Sequence, residues 1–211
     1  ERYYAKHPEW YGLRGGKRSG DIRGDVGDNA CMSSAGLRAE IARNLVDDLV
    51  DGERRWVDIV NVWALDNGKY CECPSCAAAG NPTDQILLLA HDCRQAIRRA
   101  RESGRLAREV LVAIPAYHET LVPPSRPLAA GFDHRGIFVV FFPIERCFAH
   151  TCTDASCREI NADLLRSWEA WTRNPANPFR GSLFMGEYYN VSSFSALAIP
   201  FTRVMAADIP Y

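Results

Sequence analysis

Lysine is scarce in this chain, and neither sign of charge dominates. The 211 residues include 25 lysines and arginines against 26 aspartates and glutamates, a formal net charge of −1. The lysines are Lys6, Lys17 and Lys69, so arginine carries almost all of the positive charge. A near-neutral chain without a basic stripe argues against a nucleic acid as the main partner.

Long apolar runs are also missing. The longest, from Gly136 to Ile144, has the length of a strand, whereas roughly 20 apolar residues are needed to cross a bilayer. We therefore expect no membrane insertion. Because Glu1 is not an initiator methionine, we expect a piece of a longer chain with neighbouring domains, exported to the periplasm or the extracellular space.

The most informative stretch runs from Trp56 to Cys76. Its first part, Trp56 to Trp63, is rich in β-branched and aromatic residues and predicts a strand. A polar turn follows at Asp66, Asn67 and Gly68. Three cysteines come directly afterwards, at positions 71, 73 and 76. This order predicts that Asp66 is a site residue and that the cysteines hold its loop.

The rest of the chain alternates helical and strand patterns. Apolar residues at four-residue spacing from Leu37 to Leu49 predict an amphipathic helix, begun by Ser33 or Ser34 and ended by Gly52. A second helix, capped by Thr83 and Asp84, extends to about residue 102. The remaining predicted elements are strands at 109–114, 136–142 and 182–186, a helix at about 155–171, and a glycine-rich loop over residues 1–32 that folds over a site.

Continuously apolar strands separated by helices predict parallel pairing in an α/β fold. An open sheet and a TIM barrel both satisfy this pattern. Polar residues follow each of the four strands, which is typical of the (β/α)₈ barrel. Since four strands are half of a barrel, we expect residues 1–211 to form one barrel-like domain, a partial barrel with upstream strands missing.

Three acids would converge at the mouth of such a barrel: Asp66, Glu145 and Glu187. Paired carboxylates suit cleavage of a glycosidic bond, because one protonates the leaving oxygen while the other acts as base or nucleophile. The alternative is that each acid only balances a nearby arginine, such as Arg146.

Aromatic residues and histidines flank the same strand ends. Trp63, Tyr117, Tyr188 and Tyr189 could stack on sugar rings. Core packing is the alternative, and for Trp63 it is the favoured one. Among the polar neighbours, His118, His150 and Asn67 are candidates for binding sugar hydroxyls.

The eight cysteines suggest metal ligands or disulfides. Zinc in structural sites takes four ligands, and Cys31 is our preferred fourth beside Cys71, Cys73 and Cys76. Disulfides between these loops fit the sequence equally well. A second group, at positions 147, 150, 152 and 157, could form another site or a disulfide such as Cys152–Cys157. Any zinc would be structural, and we expect no cofactor for catalysis.

Several segments together resemble a known family. They are HPEWYGLRGGKR, DNACMSS, LDNGKYCECPSC, PAYHET, PIERCFAH and GEYYN with SFSALAIPF, and they extend over essentially the whole chain. The sequence is similar to a bacterial domain family of uncharacterised function that occurs in large, mostly exported proteins. That family is grouped with the TIM-barrel glycoside hydrolases, whose members include family 20 hexosaminidases and α-glucuronidases.

The resemblance implies a glycosidase-like barrel that acts on a polysaccharide or glycan. Family 20 enzymes carry an adjacent Asp-Glu pair after a strand, whereas this chain reads Leu65-Asp66-Asn67. We therefore expect Asp66 as general acid and Glu187 or Glu145 as the opposing carboxylate, without the substrate-assisted hexosaminidase mechanism. The alternatives are a non-catalytic carbohydrate-binding barrel and a zinc-stabilised interaction domain.

Overall fold

The computed structural model describes residues 3–21, 23, 26–188 and 201–209. Its strands are β1 (Leu13–Arg14), β2 (Lys17–Arg18), β3 (Ile59–Asn61), β4 (Leu111–Ala116), β5 (Ile137–Phe141) and β6 (Leu183–Met185). Its α-helices are α1 (Ala35–Asp51), α2 (Pro74–Ala79), α3 (Pro82–Glu102), α4 (Ala162–Thr172) and α5 (Thr202–Asp208). Short 3₁₀ turns lie at Pro8–Trp10, His118–Thr120 and Ala155–Cys157.

Four of the strands form one parallel sheet in the order β3-β4-β5-β6. Each strand therefore pairs with its neighbour in sequence. Helix α3 connects β3 to β4 and α4 connects β5 to β6, as parallel pairing requires a long crossover. The predicted α/β class with parallel strands is confirmed.

The two faces of this sheet have different surroundings. Val60, Val112 and Ile137 lie on one face, because residues paired across a parallel sheet point the same way. This helix face packs into one hydrophobic core with side chains from α1, α3 and α4, and the ring of Phe141 meets Trp168 of α4 at 5.2 Å. Helices α1 and α3 also pack against each other.

The second face carries the alternate residues, among them Ala113, Phe138 and Phe184. Its centre is buried, but its edges are open: Ile59 is 50% exposed and Phe184 is 55% exposed. Helices therefore cover one face of the four strands except near Met185, which is 45% exposed, and the other face is buried only at its middle.

Side-chain hydrogen bonds to backbone N–H groups mark where helices α1 and α3 begin. The Ser34 side chain accepts a hydrogen bond from the Leu37 N–H and begins α1, as predicted, and Gly52 ends the helix. The expected caps of α3, Thr83 and Asp84, are wrong by two or three residues. Asn81 is the N-cap, and Asp84 completes a capping box with it.

Other predicted boundaries were also wrong. The strand expected at 56–63 begins only at Ile59, because residues 53–56 form a turn and Trp56 lies in solvent beside Arg55. The helix expected from 155 begins at Ala162, after the 3₁₀ turn. The expected N-terminal loop contains the β1–β2 hairpin, and α2 and α5 were not predicted.

The described strands form an open sheet and do not close into a barrel. Across the described part of the chain, no helix is both long and apolar enough to cross a membrane.

We expect Ile114→Ala to lower the free energy of unfolding by about 2–5 kcal/mol, because Ile114 is fully buried on the helix face and its truncation leaves a cavity. Ile59→Ala is the matched control, with the same atoms removed from a half-exposed position of the same sheet. It should cost about 1 kcal/mol or less. Urea unfolding curves measure both, and equal losses would contradict this account of the two faces.

Candidate functional site

An aromatic ring follows each of the four parallel strands. Trp63, Tyr117, Phe142 and Tyr188 come one to three residues after β3, β4, β5 and β6. Trp63 contacts Tyr117 at 5.6 Å and Phe142 at 5.3 Å between ring centroids, and Phe142 contacts Tyr188 at 5.8 Å. The rings of Tyr117 and Tyr188 are nearly parallel, 6.5 Å apart. We call these four residues the strand-end aromatic cluster.

The alternation of the strands explains the cluster. Each of its residues lies an even number of positions from a residue of the second face in its own strand, so the cluster continues that face beyond the strand ends. Gly186 allows the close approach, because a Cβ at that position would overlap the Phe142 ring. Trp63 remains 41% exposed, which leaves ring surface available to a ligand. Tyr189 lies outside the described residues.

Asp66 lies against this cluster. The carboxylate of Asp66 lies close enough to Tyr117 and Tyr188 for its negative charge to act on both phenols. Burial raises the pKa of Tyr117 to about 12, and the negative charges of Asp66 and Glu145 act in the same direction. Asp66 also raises the pKa of Tyr188, after burial as the larger cause. Tyr117 is therefore a neutral hydroxyl at physiological pH, within electrostatic range of both carboxylates.

Glu145 lies beside His118, the residue that follows Tyr117. His118 Nδ1 lies 3.3 Å from Glu145 Oε1, while the Glu145 side chain is 80% exposed. His118 adopts a positive φ of 44°, and no other non-glycine residue in the described ranges does so. Such a conformation costs of order 1 kcal/mol and is common at functional sites. It turns the chain sharply after β4 and directs the imidazole toward Glu145.

Glu187 has a different environment. It lines a cavity of about 410 Å³ on the helix side of the sheet, together with Phe141, Leu164 and Trp168. Its Oε1 lies 3.4 Å from Arg146, whose side chain is only 2% exposed and also pairs with Asp208 of α5. The guanidinium thus balances two carboxylates and joins α5 to the ends of β5 and β6. The structure brings Asp66 and Glu145 to Tyr117, and it brings Glu187 to Arg146.

Asn67 and His150 are also placed away from the aromatic cluster. Asn67 Nδ2 donates to the Gly27 carbonyl, and its Oδ1 accepts from Asn29 Nδ2 and from the Lys69 N–H. These contacts fix the loop instead of facing a ligand. His150 lies beside Cys147 and Cys157.

The four predicted cysteine ligands do come together. Cys31, Cys71, Cys73 and Cys76 are all buried, all are free thiols, and their sulfur atoms lie within 4.8 Å of one another. Cys31 Sγ is 3.6 Å from Cys73 Sγ and 3.7 Å from Cys76 Sγ. A disulfide needs about 2.05 Å, whereas sulfurs on a tetrahedral zinc at 2.3 Å lie about 3.8 Å apart. The cluster therefore fits a structural metal, and the disulfide alternative does not match these distances.

Backbone donors around the cluster support the same conclusion. The Leu13 N–H donates to Cys71 Sγ at 3.2 Å, and the Cys76 N–H donates to Cys73 Sγ at 3.4 Å. The hydrogen bond with Cys76 lowers the pKa of Cys31 to about 4. Such donors stabilise thiolates and orient metal ligands. The loop that carries Cys71 and Cys73 also holds the β1–β2 hairpin, since the N–H of Glu72, between these two cysteines, donates to the Leu13 carbonyl.

Sequence reasoning missed Asn29, which is 2% exposed and holds the loop that carries Asp66. Its Oδ1 accepts from the Leu65 N–H, its Nδ2 donates to the Leu65 carbonyl, and its own N–H donates to the Lys69 carbonyl. The one available signal was its position two residues before Cys31, within the segment DNACMSS. Ser33, whose hydroxyl contacts three of the cluster sulfurs, was considered only as a helix cap.

A family model described as "Domain of unknown function (DUF4838)" matches residues 1–209. The chain belongs to this family. No curated protein and no solved structure matches the sequence. Membership of the DUF4838 family is thus shown over nearly the whole chain, and the function has to be argued from the residues.

We expect Cys76→Ser to remove one metal equivalent per chain from the purified protein. Loss of the metal should lower stability by about 3 kcal/mol or more, because the ligands join the N-terminal hairpin to the β3 loop. For a chain of this length that corresponds to a fall in Tm of roughly 6–12 °C.

Cys93→Ala is the control, since Cys93 is a buried thiol of α3 outside the cluster. Its metal content, measured by elemental analysis, should equal that of the wild type. A Cys76→Ser protein with unchanged metal content would disprove the metal site.

Proposed function

We propose that this chain forms part of a glycoside hydrolase of the (β/α)-barrel type, with its substrate cleft over the strand-end aromatic cluster. The observation that carries the proposal is the meeting of four aromatic rings with Asp66 and Glu145 at the carboxyl ends of parallel strands. Catalytic residues of barrel enzymes occur at this end of their strands. The family resemblance described above agrees with it but is an analogy.

The sheet supports the barrel part of the proposal. A strand order that follows the sequence is typical of a barrel, whereas a doubly wound sheet reverses its order at a switch point. Helices cover one face, as on the outside of a barrel, and the second face carries Phe138 and Phe184 as interior residues would. The open edges at Ile59 and Phe184 are where further strands would pair.

The rings support a carbohydrate as substrate. Sugar rings present C–H surfaces that stack on aromatic faces, and such pockets combine apolar rings with a few fixed polar groups. Here Trp63 offers the exposed face, while the hydroxyls of Tyr117 and Tyr188 offer neutral hydrogen-bonding groups.

In this proposal Asp66 and Glu145 are the catalytic pair. Asp66, beside Tyr117, protonates the glycosidic oxygen. Glu145, held by His118, acts as the base or nucleophile. Glu187 is bound to Arg146 and supports the end of the cleft from the helix side. The four-cysteine cluster holds structural zinc, which keeps the Asp66 loop in place.

We expect Asp66→Asn and Glu145→Gln each to lower kcat on a glycoside substrate by roughly 10²-fold or more, the usual contribution of a general acid or base. Glu187→Gln should change kcat less, because its carboxylate lies on the helix side with Arg146. A screen of glycan substrates with the full-length protein measures these rates.

Glu53→Gln is the matched control, since Glu53 is exposed and lies before β3, at the opposite end of the sheet from the cluster. Its kcat should equal that of the wild type. If Asp66→Asn retains full activity on a glycoside that the wild type cleaves, the assignment of the general acid is wrong.

A carbohydrate-binding module without catalysis is the second candidate, and the exposure of both Asp66 and Trp63 favours it. Under either candidate, Trp63→Ala should weaken binding of an oligosaccharide about tenfold, equivalent to about 1.4 kcal/mol. Trp56→Ala is the control, because Trp56 is an exposed tryptophan in the turn before β3, at the opposite end of that strand from Trp63. Calorimetric titration measures both. Binding without cleavage would favour the module, and equal affinity in both variants would remove the cluster from the binding site.

A further inference from the structure

The loop between β5 and α4 brings together three side chains with metal-ligating atoms. Cys157 Sγ lies 3.2 Å from His150 Nδ1, and Cys147 Sγ lies 3.5 Å from the same nitrogen. All three atoms are within 4.8 Å of one another. Two charged residues of this loop, Arg146 and Asp154, are already paired, with Asp208 and with the Ser156 hydroxyl respectively.

The chain fixes this arrangement by its own contacts. Asn161, fully buried before α4, accepts a hydrogen bond from the Cys147 N–H and donates one to the Cys152 carbonyl. Its own N–H donates to the Cys157 carbonyl. Asp154 caps the 3₁₀ turn that ends at Cys157. Both thiols are thus positioned by the backbone before any ligand binds, which is the preorganisation that a metal site requires.

The ligand atoms of Cys147, His150 and Cys157 favour particular metals. Two thiols and one imidazole suit zinc and related soft or borderline transition metals, and two cysteines with one histidine form a known three-ligand zinc set. Two residues separate Cys147 from His150, the same separation that paired cysteines have in many zinc-binding loops. No fourth His, Cys, Asp or Glu atom joins the group within the described residues.

We propose that Cys147, His150 and Cys157 form a second transition-metal site, of the zinc class, whose fourth position is open to water or to an exogenous ligand. His150 is exposed and Cys147 partly so, and the open position therefore lies toward solvent. This distinguishes the site from the buried four-cysteine cluster, where all four positions are filled by protein.

Cys152 is not part of this site. Its N–H donates to Asp208 and it is buried toward the cavity beside Glu187, although it lies between the three ligands in sequence. The metal would join Cys147, directly after Glu145 and Arg146, to the 3₁₀ turn. It would therefore fix the loop between β5 and α4 close to the ends of the parallel strands. The inference stands whether or not the chain cleaves glycans.

The test is metal stoichiometry in the full-length protein, loaded with excess Zn²⁺ under reducing conditions and then desalted. We expect two equivalents per copy of this domain in the wild type and one in Cys147→Ser and in His150→Ala. Cys152→Ser, which changes a thiol of the same loop outside the site, should retain two. Cys76→Ser with His150→Ala should retain none, which separates the two sites. Where the rest of the protein binds zinc, these numbers are differences from that background.

A second measurement uses the difference in solvent exposure between the buried four-cysteine cluster and the open site at Cys147, His150 and Cys157. A colorimetric chelator should remove one ion quickly and one slowly from the wild type, and the fast phase should be missing in His150→Ala. Co²⁺ substitution should give a thiolate charge-transfer band that weakens in Cys147→Ser. The proposal is overturned if the wild type binds only the ion lost in Cys76→Ser, or if His150→Ala loses no metal. It is also overturned if reduced protein takes up no second ion and oxidation joins Cys147 to Cys157 as a disulfide.

Discussion

The constraint on which the rest of this structure depends is the two-residue alternation of its four parallel strands. One set of positions enters the core beneath α1, α3 and α4, so those residues have to be apolar and fill volume. The alternate positions, on the second face, do not pack under these helices. They continue past the strand ends as Trp63, Tyr117, Phe142 and Tyr188. Glu187, two residues after Met185, belongs to the first set and turns to the buried Arg146. Asp66 reaches the rings from the turn after β3, where the strand alternation has ended.

Much of the architecture could be predicted from local pattern. Parallel strands, α1 with Ser34 and Gly52 at its ends, and the convergence of Cys31 with three later cysteines all follow from signals in short segments. Boundaries could not be predicted where tertiary contacts override propensity. Trp56 belongs to a β-favouring run but lies in a turn, and Glu109, predicted to begin a strand, lies two residues before β4 and pairs with Arg94 and Arg101.

The sequence predicted that the candidate site lies at the strand ends, but it did not predict on which face of the sheet each acid lies. The sequence places an acid after β3, β5 and β6 without saying which sheet face each one takes, since one residue of offset reverses the direction. Asn29 and Asn161 were missed for a related reason. Asn29 forms hydrogen bonds with the backbone of Leu65, which is distant in sequence, and Asn161 forms hydrogen bonds with the backbone of Cys147 and Cys152. Both are buried amides, and composition does not distinguish such an amide from a solvent-exposed one.

The four-cysteine cluster has a consequence for how the stability of the fold depends on metal. Cys31 lies before α1 and the other three ligands lie after β3, so the cluster closes a ring of chain that contains both elements. The Leu13 N–H donates to Cys71 Sγ, so the β1–β2 hairpin is fastened to the same ring. An ion held by all four sulfurs would add its binding free energy to the stability of this ring. A shortage of metal would then weaken the attachment of the Asp66 loop, while the helix-covered core, which contains none of the four ligands, would keep its own contacts.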